Sequence, residues 1–271
     1  MIIEADENTL PSIRNPLLRS YAEIYVHIYQ DFMEQIRLMG MEIAKEDDSQ
    51  KVNARLASLA KKGIKQNNNK HSISINEVST ACKACRLGMG SATFFISLDC
   101  HRDCFYCFNP NQENFQDYRK KHRDVLAELR VLRDTGEPVT HLALTGGEPL
   151  LHKAETIRFF QEARLDFPNA HTRLYTTGDH LDEPTLTALQ AAQLDEIRFS
   201  IRMHDGEKAR ELTYTNIAKA RDYVPAVMVE MPVLPNTYED MKSILLKLES
   251  LGVYSINLLE LCFPLNNVEA F

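Results

Sequence analysis

At 271 residues, 44% of them hydrophobic, the chain is long enough to bury one full α/β domain together with an extension. Its 38 acidic against 31 basic residues leave a formal net charge of −7, which argues against a general nucleic-acid binder, a class that carries a basic excess. No stretch approaches the roughly 18 consecutive apolar residues of a bilayer span, so no membrane role is expected.

Met1 to Arg14 is polar and acidic, without the apolar core of a secretory leader. A cytoplasmic location is therefore expected, where the six cysteines stay reduced and serve metals or redox chemistry. From Pro16 to about Lys45, Leu18, Tyr21, Ile24, Tyr25, Ile28, Phe32, Ile36 and Met39 recur at three- and four-residue steps. That period predicts a helix opened by Pro16, with Tyr21, Tyr25 and Tyr29 as a packing stripe. Asp47 to Gln50 interrupts it. A second helical stretch is expected near Val52–Ile64, and Gln66-Asn67-Asn68-Asn69 reads as a loop. Lys51 to Lys70 holds basic residues and no acidic one; a solvated helix face is the plainer reading, a docking patch for an anionic partner the other.

From Ala92 onward, short β-rich runs alternate with helical ones. Strands are predicted at Ala92–Leu98, Thr140–Thr145, Thr172–Thr176, Glu196–Arg202, Ala226–Val233 and Tyr254–Leu261. Helices are predicted near Lys120–Arg133, Lys153–Leu165, Glu183–Ala192, Lys208–Asp222 and Tyr238–Leu251. Such alternation makes parallel strands joined by right-handed crossovers, an α/β fold. The expected organisation is a helical N-terminal extension over 1–80 and an α/β domain over 81–271. The chain stops at Phe271, just after the sixth strand, which suggests a truncated chain.

Directly after the first of these strands comes Cys-His-Arg-Asp-Cys-Phe-Tyr-Cys, with Cys100, Cys104 and Cys107. Three thiolates on one short loop can hold three irons of a 4Fe-4S cube and leave the fourth open to a substrate or cofactor. Zinc is the competing ion, but structural zinc sites usually pair two cysteines with two further ligands far downstream.

The spacing C-x3-C-x2-C, with an aromatic before the last cysteine, resembles the signature of the radical S-adenosylmethionine (radical SAM) superfamily. The resemblance extends to Thr145-Gly146-Gly147-Glu148-Pro149 at the end of the second strand, which is similar to that family's GGEP motif. It implies a partial (β/α)6 TIM-like barrel with the site at the C-terminal ends of the strands. It also implies that Gly146, Gly147, Glu148 and Pro149 receive the methionine amino group of AdoMet through backbone and carboxylate. By the same resemblance Thr176 and Thr177 line the AdoMet pocket, Ser200 and Arg202 contact its ribose and carboxylate, and Tyr106 lies near the adenine. A buried Arg–Asp pair is the alternative for Arg202. The implied reaction is reductive cleavage of AdoMet to a 5′-deoxyadenosyl radical that takes hydrogen from a substrate, either a protein or peptide or a small molecule. A one-electron donor such as flavodoxin or ferredoxin is implied as partner.

The order Cys-Lys-Ala-Cys-Arg-Leu-Gly, cysteine loop, Thr-Gly-Gly-Glu-Pro-Leu and Leu-Tyr-Thr-Thr-Gly further resembles radical SAM proteins grouped with pyruvate-formate-lyase-activating enzymes. Cys82 and Cys85 form a C-x2-C ahead of the first strand, and Cys262 ends the sixth. Together they are candidates for a second cluster or metal, against a redox dithiol with a lone core thiol. Among the histidines, His101 is a candidate to tune the cube, and His204 sits in a turn on the active face. The contrasting function class is a non-enzymatic iron–sulfur or zinc module, redox or structural. It would need a fourth ligand, for which Cys82 or Cys85 stands ready.

Overall fold

The structure, a computed structural model, describes residues 5–40, 48–67, 71–76, 78–87 and 90–262, which fall in two compact units, Met1–Gly63 and Ile64–Phe271. The first unit holds α1 (Pro16–Leu38) and α2 (Ser49–Ala60). Asn15 caps α1 by accepting from the Leu18 N–H at 3.1 Å, and Pro16 occupies the first turn, where no amide hydrogen is needed. Residues 41–47, where the first predicted helix was expected to end, lie outside the described residues. Tyr21, Tyr25 and Tyr29 are exposed, the first two meeting edge to face at 5.2 Å.

The second unit opens with a two-stranded antiparallel hairpin, β1 (Lys65–Asn67) and β2 (Ser72–Ser74), where the Asn-rich stretch had suggested only a loop. α3 (Thr80–Leu87) follows, unforeseen in the sequence pattern. It buries Ala81 and Ala84, while the Ser79 hydroxyl before it donates to Glu196 at 2.9 Å. The division between the two units falls at Gly63, ahead of the expected 80/81 boundary, and Ser79 is tied to the second unit through Glu196.

Six parallel strands then pair in chain order: β3 (Ser91–Phe95), β4 (His141–Thr145), β5 (His171–Thr176), β6 (Glu196–Ser200), β7 (Ala226–Pro232) and β8 (Ser255–Leu259). Between β3 and β4 lie α4 (Phe115–Lys120) and α5 (Val125–Asp134). The later crossovers are α6 (Lys153–Asp166), α7 (Glu183–Ala191), α8 (Glu207–Ala220) and α9 (Tyr238–Leu251). This is the predicted partial (β/α)6 barrel.

Strand alternation divides the sheet into two faces. Leu142, Leu144, Leu174, Ile197, Phe199, Val227, Val229 and Met231 join the core with Phe159, Phe160, Ile217 and Leu248 of the helices. Each fully buried Leu or Phe contributes roughly 1.5–3 kcal/mol. The intervening positions Arg173, Tyr175, Arg198, Glu230 and Asn257 carry polar side chains that meet on the opposite, concave face.

Two boundaries differ from expectation for one reason. β3 ends at Phe95 because the chain beyond it pairs with the α4 region, the Leu98 N–H donating to Tyr118 and the Arg123 N–H to Ile96 at 2.9 and 2.8 Å. The helix expected near Lys120–Arg133 accordingly breaks after Lys120, which lets Arg123 place its guanidinium 4.3 Å over the Phe95 ring. Asp124 then restarts the helix by accepting from the Ala127 N–H.

Candidate active site

Cys100, Cys104 and Cys107 lie on one loop at the C-terminal end of β3, all half-buried. The Cys107 N–H donates to the Cys104 carbonyl at 2.9 Å, and the Arg102 N–H points at Cys100 Sγ from 3.4 Å. Burial pushes the Cys100 thiol up to about 11 and raises Cys104 and Cys107 as well; for Cys104 the neighbouring Arg202 works against the rise. Buried thiols of this kind deprotonate most readily onto a metal ion.

The loop is anchored from across the sheet. Asp179, beyond β5, meets His101 Nε2 at 2.7 Å and accepts from Arg102 Nε at 2.7 Å. Burial favours protonation of Asp179, but the bonds from His101 and Arg102 outweigh it and hold the carboxyl below its ordinary range. His101 was legible as a candidate; Asp179, 78 residues away, was not.

The glycine turn after β4 packs directly against this loop. Gly147 N–H donates to Ser97 O at 3.0 Å, and Glu148 N–H to Asp99 O at 2.8 Å. Gly146 has φ +117, and a Cβ there would sit 2.6 Å from Ser97 O. Asn109, two residues past Cys107, donates to the Gly146 carbonyl at 2.9 Å. The glycines thus serve first to bring two loops of protein together, whatever they offer a ligand.

With the cysteine loop and the glycine turn joined at one end of a six-stranded parallel sheet, sequence comparison decides the family. The model of the Radical SAM superfamily matches residues 94–248, more than half of the chain. The chain belongs to the radical SAM superfamily. A protein of Methanocaldococcus jannaschii, named as a glycyl-radical enzyme activating enzyme, is 27% identical over 205 residues, covering 71% of this chain and 52% of that one. The PqqA peptide cyclase of Gluconobacter oxydans is 29% identical over 139 residues, 51% of this chain and 37% of the cyclase. Among solved structures, Streptococcus suis SuiB bound to S-adenosylmethionine superposes with a TM-score of 0.56 at 12% identity, covering 92% of this chain and 55% of SuiB. That likeness is one of fold. The chain spans about half the length, or less, of these relatives.

In this radical SAM barrel Glu148 is held by hydrogen bonds from within the protein. It is 1% exposed, and its carboxylate accepts from the Leu150 N–H (2.9 Å), the Thr176 hydroxyl (2.7 Å) and the Thr177 N–H (2.7 Å). It pins the end of β4 to the end of β5. Thr176 and Thr177, expected to line a cofactor pocket, are buried as its partners, and Pro149 is buried in the turn that follows. Three of about four lone-pair directions on the carboxylate are used within the protein, leaving backbone carbonyls as the readier acceptors for an ammonium group. Glu148→Gln is expected to set an amide N–H against one or two of these donors and lower stability by about 2–3 kcal/mol, read by urea unfolding under anaerobic conditions. An unchanged midpoint would show the pin to be dispensable.

Arg202 takes the alternative foreseen for it. It is 2% exposed and donates to Asp205, through Nε at 3.0 Å, beside Cys104. Its Nη1 is buried without a hydrogen-bond partner among the described residues. Ser200, at the end of β6, is exposed. Tyr106 packs edge to face on Phe105 at 5.0 Å and approaches His204 at 5.9 Å, so His204 joins an aromatic cluster beside the cysteines. Burial, reinforced by Cys104, raises the Tyr106 phenol and keeps it neutral.

The proposed second trio of cysteines does not assemble among the described residues. Cys82 Sγ accepts from Arg198 at 3.4 Å, near Ser79 and Glu196 at the N-terminal end of the sheet, whereas Cys262 is exposed beyond β8. The Cys85 side chain lies outside the described residues. The donor set therefore suits a site-differentiated cube: three sulfurs on one loop, with Cys82 at the opposite end.

Sequence reasoning missed the charged network inside the barrel. Arg198, 3% exposed, pairs with both Glu196 and Glu230 and donates to the Tyr175 hydroxyl at 3.2 Å. Asn257 donates to Glu230 at 3.0 Å. The signal was present as polar residues at every second position of strands whose other face is apolar.

Proposed function

We propose that the protein is a radical SAM enzyme in which Cys100, Cys104 and Cys107 hold a 4Fe-4S cluster and the open iron takes AdoMet. The observation that carries this reading is the union of the three-cysteine loop and the Gly146–Gly147 turn through paired backbone bonds, in a chain of this superfamily. When bound, the cluster and AdoMet supply reductive cleavage to a 5′-deoxyadenosyl radical, which takes a hydrogen atom from the substrate. The protein's part is to hold three thiolates on a loop braced by Asp179, and to present carbonyls of the glycine turn to the AdoMet ammonium group. On this reading Arg202 and Ser200 would serve its carboxylate and ribose, and Tyr106 its adenine.

The substrate we favour is a protein or peptide, because curated relatives at 27% and 29% identity are named for acting on a glycyl-radical enzyme and on the PqqA peptide. A one-electron donor of the flavodoxin or ferredoxin kind would reduce the cluster. No helix among the described residues is long and apolar enough to cross a membrane, and a reducing compartment such as the cytoplasm suits an oxygen-sensitive cluster.

The test is anaerobic reconstitution with iron and sulfide, followed by dithionite and AdoMet. 5′-Deoxyadenosine is expected by mass spectrometry and should vanish in Cys104→Ala. A cluster whose EPR spectrum ignores AdoMet, with no 5′-deoxyadenosine, would favour a redox module instead.

A further inference from the structure

His122, between α4 and α5, meets His152 and Glu155 at the start of α6. One ligand atom from each of the three lies within 4.8 Å of the other two, the only such trio of His, Cys, Asp or Glu among the described residues. His122 Nδ1 is 2.9 and 3.2 Å from the two Glu155 oxygens, and the two imidazole rings stand edge to face at 4.1 Å. We propose that His122, His152 and Glu155 form a binding site for a divalent transition-metal ion, zinc by preference, separate from the cysteine loop.

The chemistry of the donors selects the ion. Two imidazoles and one carboxylate suit zinc, whereas calcium and magnesium prefer oxygen ligands throughout. Ligands bound to one tetrahedral zinc at 2.0–2.2 Å stand about 3.3 Å apart, and the three ligand atoms already lie within 4.8 Å of one another. His122 and Glu155 are 44% and 45% exposed, which gives an ion access and leaves a coordination position for water. His152 is already held in place: its Nε2 lies 2.8 Å from the Ser97 hydroxyl. A hydrogen bond on the far ring nitrogen is how proteins set the tautomer of a ligating histidine. A simple His–Glu pair accounts for His122 and Glu155 but not for a second imidazole turned against the first.

The placement links this site to the cysteine loop. Ser97 also accepts from the Asp99 N–H through its hydroxyl and from Gly147 through its carbonyl. An ion on His152 would thus brace the residues immediately before Cys100.

The experiment uses the full chain with its iron–sulfur site reconstituted, so that Cys100, Cys104 and Cys107 are occupied. Zinc is added anaerobically against a chromophoric chelator, and zinc and iron are quantified together. The expected result is a single zinc equivalent beyond the iron, with its dissociation constant raised more than about tenfold by His122→Ala and by Glu155→Gln, while iron content and circular dichroism hold. Glu155→Gln keeps the side-chain shape and guards against misfolding of the histidine variant. Absence of a zinc equivalent, or zinc binding untouched by both substitutions, would overturn the site.

Discussion

Gly147→Ala is expected to abolish iron binding and to destabilise the barrel by about 3–5 kcal/mol. A Cβ built on Gly147 would lie 1.9 Å from Asp99 O, 2.4 Å from Asp99 C and 2.7 Å from Leu98 C. All three are backbone atoms at the entry to the cysteine loop, so no rotamer relieves the clash. Overpacking of this kind costs typically 1–3 kcal/mol, and separating the loops sacrifices the Gly147–Ser97 and Glu148–Asp99 hydrogen bonds at about 1 kcal/mol each. The same shift moves Cys100, the residue after Asp99, so the thiols lose their common geometry. Gly206→Ala is the control, since a Cβ there meets nothing within 4 Å. Urea unfolding and iron content, measured on both variants after identical reconstitution, decide the matter. Normal iron loading in Gly147→Ala would mean that the cysteine loop is organised independently of the glycine turn.

Arg198→Met is expected to cost about 3–5 kcal/mol at neutral pH, because it leaves the carboxylates of Glu196 and Glu230 without their shared cation in the barrel interior. Burial by itself would raise the Glu196 carboxyl, but the His171 hydrogen bond and the Arg198 guanidinium hold it down to about 2. A carboxyl depressed on folding stabilises the protein above its unfolded pKa, near 4.5, and that stabilisation is lost as pH falls toward 2. The depression corresponds to about 3 kcal/mol. In Arg198→Met the Glu196 carboxyl should return upward and protonate earlier. The stability gap between wild type and variant should therefore be widest near pH 7 and narrow below about pH 4. Urea unfolding across that range measures it. A gap that stays constant from pH 7 to pH 3 would show that Arg198 acts by packing alone.

Much of the fold was legible because its signals are local. The six strands and the helices after β4 follow from apolar periodicity and from caps such as Asp182, which accepts from the Thr185 N–H at the start of α7. The three-cysteine loop was legible for the same reason: its cysteines lie within eight consecutive residues, and no fold is needed to bring them together. Where the reading fell short, at α3 and the β1–β2 hairpin, the segments are short and their order comes from contacts such as Ser79 with Glu196, 117 residues apart.

The sequence by itself determined the class of fold and the family, since each is encoded in spacing along the chain. Only the tertiary structure decided what the motif residues touch. It turned Glu148 inward onto Thr176 and Thr177, paired Arg202 with Asp205, and set Cys82 beside Arg198 and away from Cys262. It also joined His122 to Glu155 across 33 residues. The physical reason is that a side chain's partner is fixed by which strands and loops the sheet brings side by side, and a one-dimensional period carries no record of that approach.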